Sequence, residues 1–391
     1  MKSKKNIYLM YAIALLQGMV FYGPIATLYR QANGLTVFHI TLIESISYLL
    51  CILFEVPWGI IADKIGYKKT MSFCCGLYLV SKIVFWRADG FFDFLLERIM
   101  LSVVIAGLSG VDTSILYLSC DKGESQKAFS VYNSLGLTGL LFASFVFSAF
   151  IGRNYTASAL LTVISYGVAA VLSLFLDEVK SVDNQVMRLS DLREVFARII
   201  KDRKFILFLI SVAFLTQTHQ TITVFLNQIQ YENCGMSAST IGYVYIVVTL
   251  AGLFGVFSAK LTRKFGEKRI GVTFQFVAIA SCVVLGLTNT APISVFGVLL
   301  LNVVNSLYQP YQMELQNKHV MSVNRATELS VYAMVVNCVS AGTSVLFGSL
   351  ANVHIKLAFF FGAGICFVGF LFFGFWYKFK KSSCISKQNS L

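Results

Sequence analysis

Twelve apolar runs, each about as long as a bilayer is thick, decide what this chain can become. A hydrocarbon core of about 30 Å is crossed by about 20 residues of α-helix. Runs of that kind are predicted near 7–29, 39–61, 70–86, 91–118, 128–151 and 156–176. After a polar stretch they resume at 205–229, 239–259, 270–288, 292–313, 328–350 and 356–377. Composition agrees: 57% of the 391 residues are hydrophobic and only 13% are charged, about half the usual charge of a soluble protein. Such a chain has too little polar surface for water. A soluble enzyme, a nucleic-acid-binding module and a disordered chain are excluded. The expected fold is an all-α polytopic membrane protein.

The net charge of +13 is topological. With the N-terminus in the cytoplasm, 26 of the 32 Lys and Arg fall on that side. Arg30, Arg87, Arg153 and Lys356 lie outside, and Lys82 and Arg98 within spans. This bias places both termini in the cytoplasm of a multi-pass plasma-membrane protein, and accounts for the basic charge without any nucleic-acid partner. The first run follows Lys2, Lys4 and Lys5 but is too long for a signal-peptide core, so it reads as a retained first helix. Nine cysteines occur with no C-x-x-C pair, and most sit in apolar runs. Neither a disulfide framework nor a metal site is expected.

Residues 177–204 form the longest polar break. Within it Leu192, Val195, Phe196, Ile199 and Ile200 recur at helical spacing after a possible cap at Ser190, which predicts a short amphipathic helix. The expected organisation is an N-terminal six-helix bundle (1–180), a cytoplasmic linker (181–204), a C-terminal six-helix bundle (205–381) and a tail (382–391). The halves match at an offset of 200 residues. Lys64, Gly66, Lys68 and Lys69 correspond to Lys264, Gly266, Lys268 and Arg269, and Ser130, Val131 and Tyr132 to Ser330, Val331 and Tyr332. Both halves run in the same direction, so the repeat is parallel. That is the plan of secondary transporters that bind substrate between their halves near the midplane.

The loop after the second run, Gly59-Ile-Ile-Ala-Asp63-Lys64-Ile-Gly66-Tyr67-Lys68-Lys69, resembles the signature loop of the major facilitator superfamily (MFS), G-x-x-x-D-[RK]-x-G-[RK]-[RK]. Tyr67 stands where a basic residue is usual. The resemblance implies the MFS fold, two six-helix bundles, with this loop as a conformational latch made by Gly59, Asp63, Lys64, Gly66, Lys68 and Lys69. It further implies that Asp63 stabilises the outward-facing state and that Lys68 or Lys69 pairs with an acid such as Asp121. It also implies that the first, fourth, seventh and tenth helices line the substrate cavity.

Charge inside a span is costly and marks candidate function. In the fourth run Arg98, Ser102, Ser109, Asp112 and Ser119 share one face of a continuous helix. Arg98 resembles the arginine of a second family motif linked to proton coupling, with Ser102 in place of its glycine. Asp112 has no basic neighbour in sequence and is a candidate proton carrier, with Glu44 and Glu97 as further coupling candidates. Glu44 and Lys82 lie at similar depth and could pair. Candidate cavity-lining residues are Gln17, Ser102, Ser109, His219, Gln220, Thr223, Asn227, Asn302, Asn305 and Gln309, the last seven forming amide and hydroxyl stripes on the seventh and tenth helices.

The function expected is secondary transport of a small molecule by alternating access, read as proton-coupled efflux, by a monomer that binds substrate, protons and lipid and needs no cofactor. The fifth helix lacks the proline-bearing motif usual in drug–proton antiporters. A proton-coupled nutrient importer is the alternative within this class. A polytopic enzyme or a transporter-like sensor is the alternative outside it, although no H-E-x-x-H, no D-x-x-x-D cluster in a cytoplasmic loop and no nucleotide-binding loop occurs.

Overall fold

In a computed structural model the described residues are 4–120, 125–152, 154–179, 199, 201–320 and 325–388. They contain helices and no strand. Those in the first half are α1 (Lys4–Ala32), α2 (Val37–Ile65), α3 (Tyr67–Arg87), α4 (Phe91–Ser119), α5 (Lys127–Ile151) and α6 (Tyr155–Leu174). The second half has α7 (Arg203–Asn233), α8 (Ala238–Phe265), α9 (Glu267–Leu287), α10 (Ala291–His319), α11 (Arg325–Val353) and α12 (Ile355–Gln388). Eleven of these contain a stretch long and apolar enough to cross a bilayer. The other is α3, which carries Lys68, Lys69, Lys82 and Arg87 and is the more polar for it. The predicted linker helix falls on residues outside the described ones.

The repeat read from a few side chains extends to the helix boundaries. Helices α3 and α9 both have 21 residues and start at 67 and 267. Helices α4 and α10 start at 91 and 291, and α6 and α12 at 155 and 355. Gly66 and Gly266 introduce α3 and α9 with matching dihedrals, φ 95° and ψ 152° against φ 83° and ψ 152°. A side chain rarely adopts that conformation, which is why both halves have glycine there.

The chain forms two compact units. The first comprises residues 1–35, 46–187 and 237–246, and the second 36–45, 188–236 and 247–391. In the first, α1 packs on α5 and α6, and α3 on α4 and α6. Its core includes Met10, Ile13, Met71, Cys75, Ile115, Leu116 and Ala169, so apolar burial joins α1, α3, α4 and α6. In the second, α7 packs on α11 and α12, and α9 on α10 and α12. The second unit also holds the first turns of α2: Ser45 Oγ donates to the Ala341 carbonyl at 2.8 Å, and Ser344 Oγ to that of Thr41 at 3.1 Å.

Several helices are irregular. Helix α1 breaks after Gly18 and resumes through a 3-10 turn containing Pro24. Helix α4 breaks at Gly110, which has φ 82°. Helices α5 and α7 contain π-helical stretches at Phe147–Ile151 and Thr221–Leu226. Such interruptions leave backbone groups to be satisfied by side chains, and they concentrate at functional sites.

Candidate functional site

The break in α1 is built by α6. Tyr166 donates to the Gln17 carbonyl at 2.6 Å and Ser165 to that of Met19 at 3.1 Å. The Phe21 N–H donates to Thr162 Oγ1 at 3.0 Å. Beyond the break the short helix Ala26–Ala32 carries Tyr29 and Arg30 into the bundle, where both are buried.

There Arg30, Lys82 of α3 and Glu97 of α4 meet. Glu97 is fully buried, and Lys82 Nζ lies 3.5 Å from Oε1 while Arg30 Nη2 lies 3.8 Å from Oε2. Lys82 also donates to the Tyr22 hydroxyl at 2.9 Å. Its ammonium stands 5.3–5.6 Å from the ring centroids of Tyr22, Tyr78 and Tyr166. The Arg30 guanidinium faces Phe85 and Phe94 at 5.5 and 5.9 Å. Rings supply their negative faces to both cations and help to offset lost hydration. The structure thus gives Lys82 a carboxylate other than Glu44, which is buried on the segment 36–45 of the second unit.

The single stripe expected along α4 does not form. Gly110 interrupts the helix, so residues 98–108 and 111–119 belong to separate helical pieces. Ser102 is buried, donates to the Arg98 carbonyl at 2.9 Å and exchanges a hydrogen bond with Ser47 at 2.8 Å. Ser109 is exposed at the break. Asp112 stands in the first turn of the resumed helix and accepts the Thr113 N–H at 2.6 Å and the Tyr132 hydroxyl at 3.5 Å. A carboxylate at a helix N-terminus is stabilised by backbone donors and the helix dipole. Asp112 therefore has local hydrogen-bond partners that its sequence neighbours do not reveal. Gln17 reaches Cys75 Sγ at 3.4 Å.

In the second unit the amides converge around the π-helical part of α7. His219 Nε2 lies 2.9 Å from Asn302 Oδ1 and 3.2 Å from Thr223 Oγ1. The Asn302 amide donates to the Val248 carbonyl at 2.6 Å, so one side chain ties α7, α8 and α10. With its amide so engaged, Asn302 offers Oδ1 as an acceptor, and Nε2 of His219 carries the proton. Asn305 is buried, its Oδ1 without a partner among the described residues. Gln309 accepts from Gln312 at 3.2 Å. Asn227 is buried and accepts the Gln228 N–H, while Gln220 is half-buried. These groups are uncharged, with donors and acceptors that suit hydroxyl or amide partners.

At the latch loop, Gly59 and Asp63 lie on α2, the Asp63 side chain is outside the described residues, and Asp121 is itself outside them. Lys64 and Lys69 are exposed and Lys68 half-buried. A partner absent from the sequence reading appears: Glu178 Oε1 accepts the Lys68 N–H at 3.2 Å, and the carboxylate covers Gly66 so closely that an added Cβ would meet Oε2 at 2.6 Å. The adjacent Asp177 is tied to α1 by Lys5 at 2.9 Å and by two hydrogen bonds with Asn6. Arg30, Tyr22, Tyr78 and Tyr166 were equally hidden, because an arginine near a helix end and scattered tyrosines carry no sequence signal of convergence.

The family model for the Major Facilitator Superfamily matches residues 7–322. Among solved structures, the nucleoside transporter NupG superposes with a TM-score of 0.80 at 14% identity, covering 95% of this chain and 99% of that one. A D-xylose-proton symporter gives 0.73 at 14% identity, covering 95% and 97%. A bacterial homologue of the human lysosomal transporter Spinster gives 0.71 at 15%, covering 96% and 97%. The L-fucose-proton symporter of Escherichia coli (strain K12) is 30% identical over 86 residues, 22% of this chain and 20% of that protein. The matched segment thus spans about a fifth of that curated relative.

Proposed function

This chain belongs to the Major Facilitator Superfamily, and from that premise we propose that it takes up a small polar solute by alternating access, driven by protons. The observation that carries the coupling is the buried Arg30–Glu97–Lys82 triad. Charges buried in spans are costly and mark candidate function, and here three are retained together. In this reading Glu97 takes and releases the proton, its charge balanced in turn by Arg30 and Lys82. Asn302, His219, Thr223 and Asn305 bind the solute's polar groups.

Uptake is favoured over the efflux expected from sequence by the kinds of protein the chain resembles, two of them sugar–proton symporters by name and one a nucleoside transporter. The protein acts as a transporter and not as an enzyme, in the plasma membrane, with both termini cytoplasmic. The loop from Gly59 to Lys69 is its latch, and residues 181–204 are the cytoplasmic linker joining its bundles.

Proteoliposomes test this directly. Labelled D-xylose, L-fucose and uridine are offered with the outside acidic, and with the gradient collapsed by a protonophore. We expect gradient-dependent accumulation of at least one solute, lost in Glu97→Gln. Extrusion against the gradient, or accumulation indifferent to the protonophore, would overturn the uptake and coupling readings respectively.

A further inference from the structure

Asn302 and Asn305 stand about one turn apart on α10, and their carboxamides are in opposite states. Asn302 is spent at both ends: Oδ1 meets His219 Nε2 at 2.9 Å, and Nδ2 donates to the Val248 carbonyl at 2.6 Å. Asn305 is nine-tenths buried, yet its Oδ1 has no partner and its Nδ2 donates to nothing among the described residues. Buried side-chain amides are nearly always bonded, because an unmet one has lost its water without replacement. The fold does not call for an amide at this place. Across the repeat Leu101 and Val104 correspond to Leu301 and Val304, and all four are buried, whereas the position of Asn305 is taken by Ile105. An apolar residue serves the same helix register in the first half.

We infer that Asn305 is the residue that reads the solute, and that the solute presents the edge of a cyclic secondary amide, a lactam or an imide. The inference rests on the solute cluster proposed above and names the class of solute that cluster takes. A carboxamide is planar and offers one acceptor and one donor side by side. A group with the complementary edge, N–H beside C=O, closes two parallel hydrogen bonds on it at once. The solute's N–H donates to Asn305 Oδ1, and its carbonyl accepts from Nδ2. In an open-chain trans amide the N–H and C=O point in opposite directions, so only a ring holds them on one side.

Vicinal hydroxyls also reach both atoms of a carboxamide, but they bring two O–H donors, and this pairing takes up one. The other would need an acceptor of its own, and Asn302, His219 and Thr223 are already committed to one another and to Val248. A lactam or imide N–H leaves no donor over. In this conformation Oδ1 is shut away from water. Binding therefore requires the helices around Asn305 to part, which alternating access provides.

Calorimetric titration of the purified full chain tests the site with two matched pairs of probes. Uracil and uridine carry the edge; 1,3-dimethyluracil and 3-methyluridine keep the ring but have no ring N–H. In wild type we expect uracil or uridine to bind, and its N-methylated counterpart to bind at least about tenfold more weakly, since Oδ1 is then left unmet. Asn305→Leu should bring that ratio close to one. Asn305→Ser, which also lacks the paired edge, gives the same readout if the leucine variant does not fold. A merely structural asparagine would weaken both members of a pair alike and leave the ratio standing. Binding of neither uracil nor uridine, equal binding within a pair, or a ratio unchanged in the Asn305 variants would overturn the inference. Proton-driven accumulation of D-xylose without binding of uracil or uridine would overturn it too, and leave the transport reading standing. Discrimination that is lost in the Asn305 variants, in a protein whose accumulation ignores the gradient, would do the reverse.

Discussion

Lys82 Nζ stands nearer the Tyr22 hydroxyl, at 2.9 Å, than the Glu97 carboxylate, at 3.5 Å. The lysine is held in place by a phenol and neutralised by a carboxylate it shares with Arg30. The two functions of a buried partner, position and charge, thus fall to different residues. Removing one should have consequences unlike removing the other.

Glu97→Gln should destabilise the protein more than Lys82→Met. The first leaves two buried cations without a counter-ion, a loss of about 3–5 kcal/mol by the usual cost of breaking a buried pair. The second leaves Arg30 and Glu97 as a neutral couple. Thermal unfolding followed by size-exclusion fluorescence will rank them, and equal melting points would argue against the charge imbalance. Tyr22→Phe should preserve most of the stability, since only a hydrogen bond of about 1–3 kcal/mol is lost.

Asp112→Asn should leave gradient-driven accumulation intact. Its carboxylate accepts the Thr113 N–H at the start of a helical piece, and an amide oxygen can do the same. The expected cost is on the order of 1 kcal/mol or less in stability. Loss of uphill transport with exchange preserved would return Asp112 to the coupling role.

Gly66→Ala and Gly266→Ala form an internally controlled pair. Both impose a left-handed backbone on a side chain, at about 1–2 kcal/mol. At Gly66 the new methyl also strikes the Glu178 carboxylate, whereas at Gly266 nothing lies within 4 Å. Gly66→Ala should therefore destabilise more, and Glu178→Ala in the same chain should erase the difference. Persistence of the difference without Glu178 would show that the contact is not its source.

Asn302→Ala should lower solute affinity by more than tenfold, while Asn302→Asp should be worse for stability. Alanine withdraws the acceptor from His219 and the donor from Val248. Aspartate keeps an acceptor for His219 but places a charge against the carbonyl. Binding isotherms and melting curves on the two variants separate these effects. Wild-type affinity in Asn302→Ala would remove this cluster from the solute site.

The parts legible in the sequence are those governed by local rules. Span length follows from bilayer thickness, and the glycines at 66 and 266 from a backbone that only glycine adopts easily, so twelve helices and the repeat were readable. Glu97 and Lys82 were visible as charges in apolar runs. The triad was not, because Arg30 joins them only through the short helix that follows the break in α1 at Gly18. The α4 stripe failed for a related reason. Periodicity assumes an unbroken helix, and one left-handed residue at Gly110 resets the rotation of everything after it. Glu178 was hidden because it lies more than a hundred residues from the loop it covers.

The hydrogen bonds from α6 into the break of α1 have a mechanical consequence. Thr162, Ser165 and Tyr166 occupy little more than one turn of α6, yet they grip both sides of the interruption, at Gln17, Met19 and Phe21. The short helix Ala26–Ala32 thus starts from a junction fixed to α6, so the place of Arg30 is set by α6 as much as by α1.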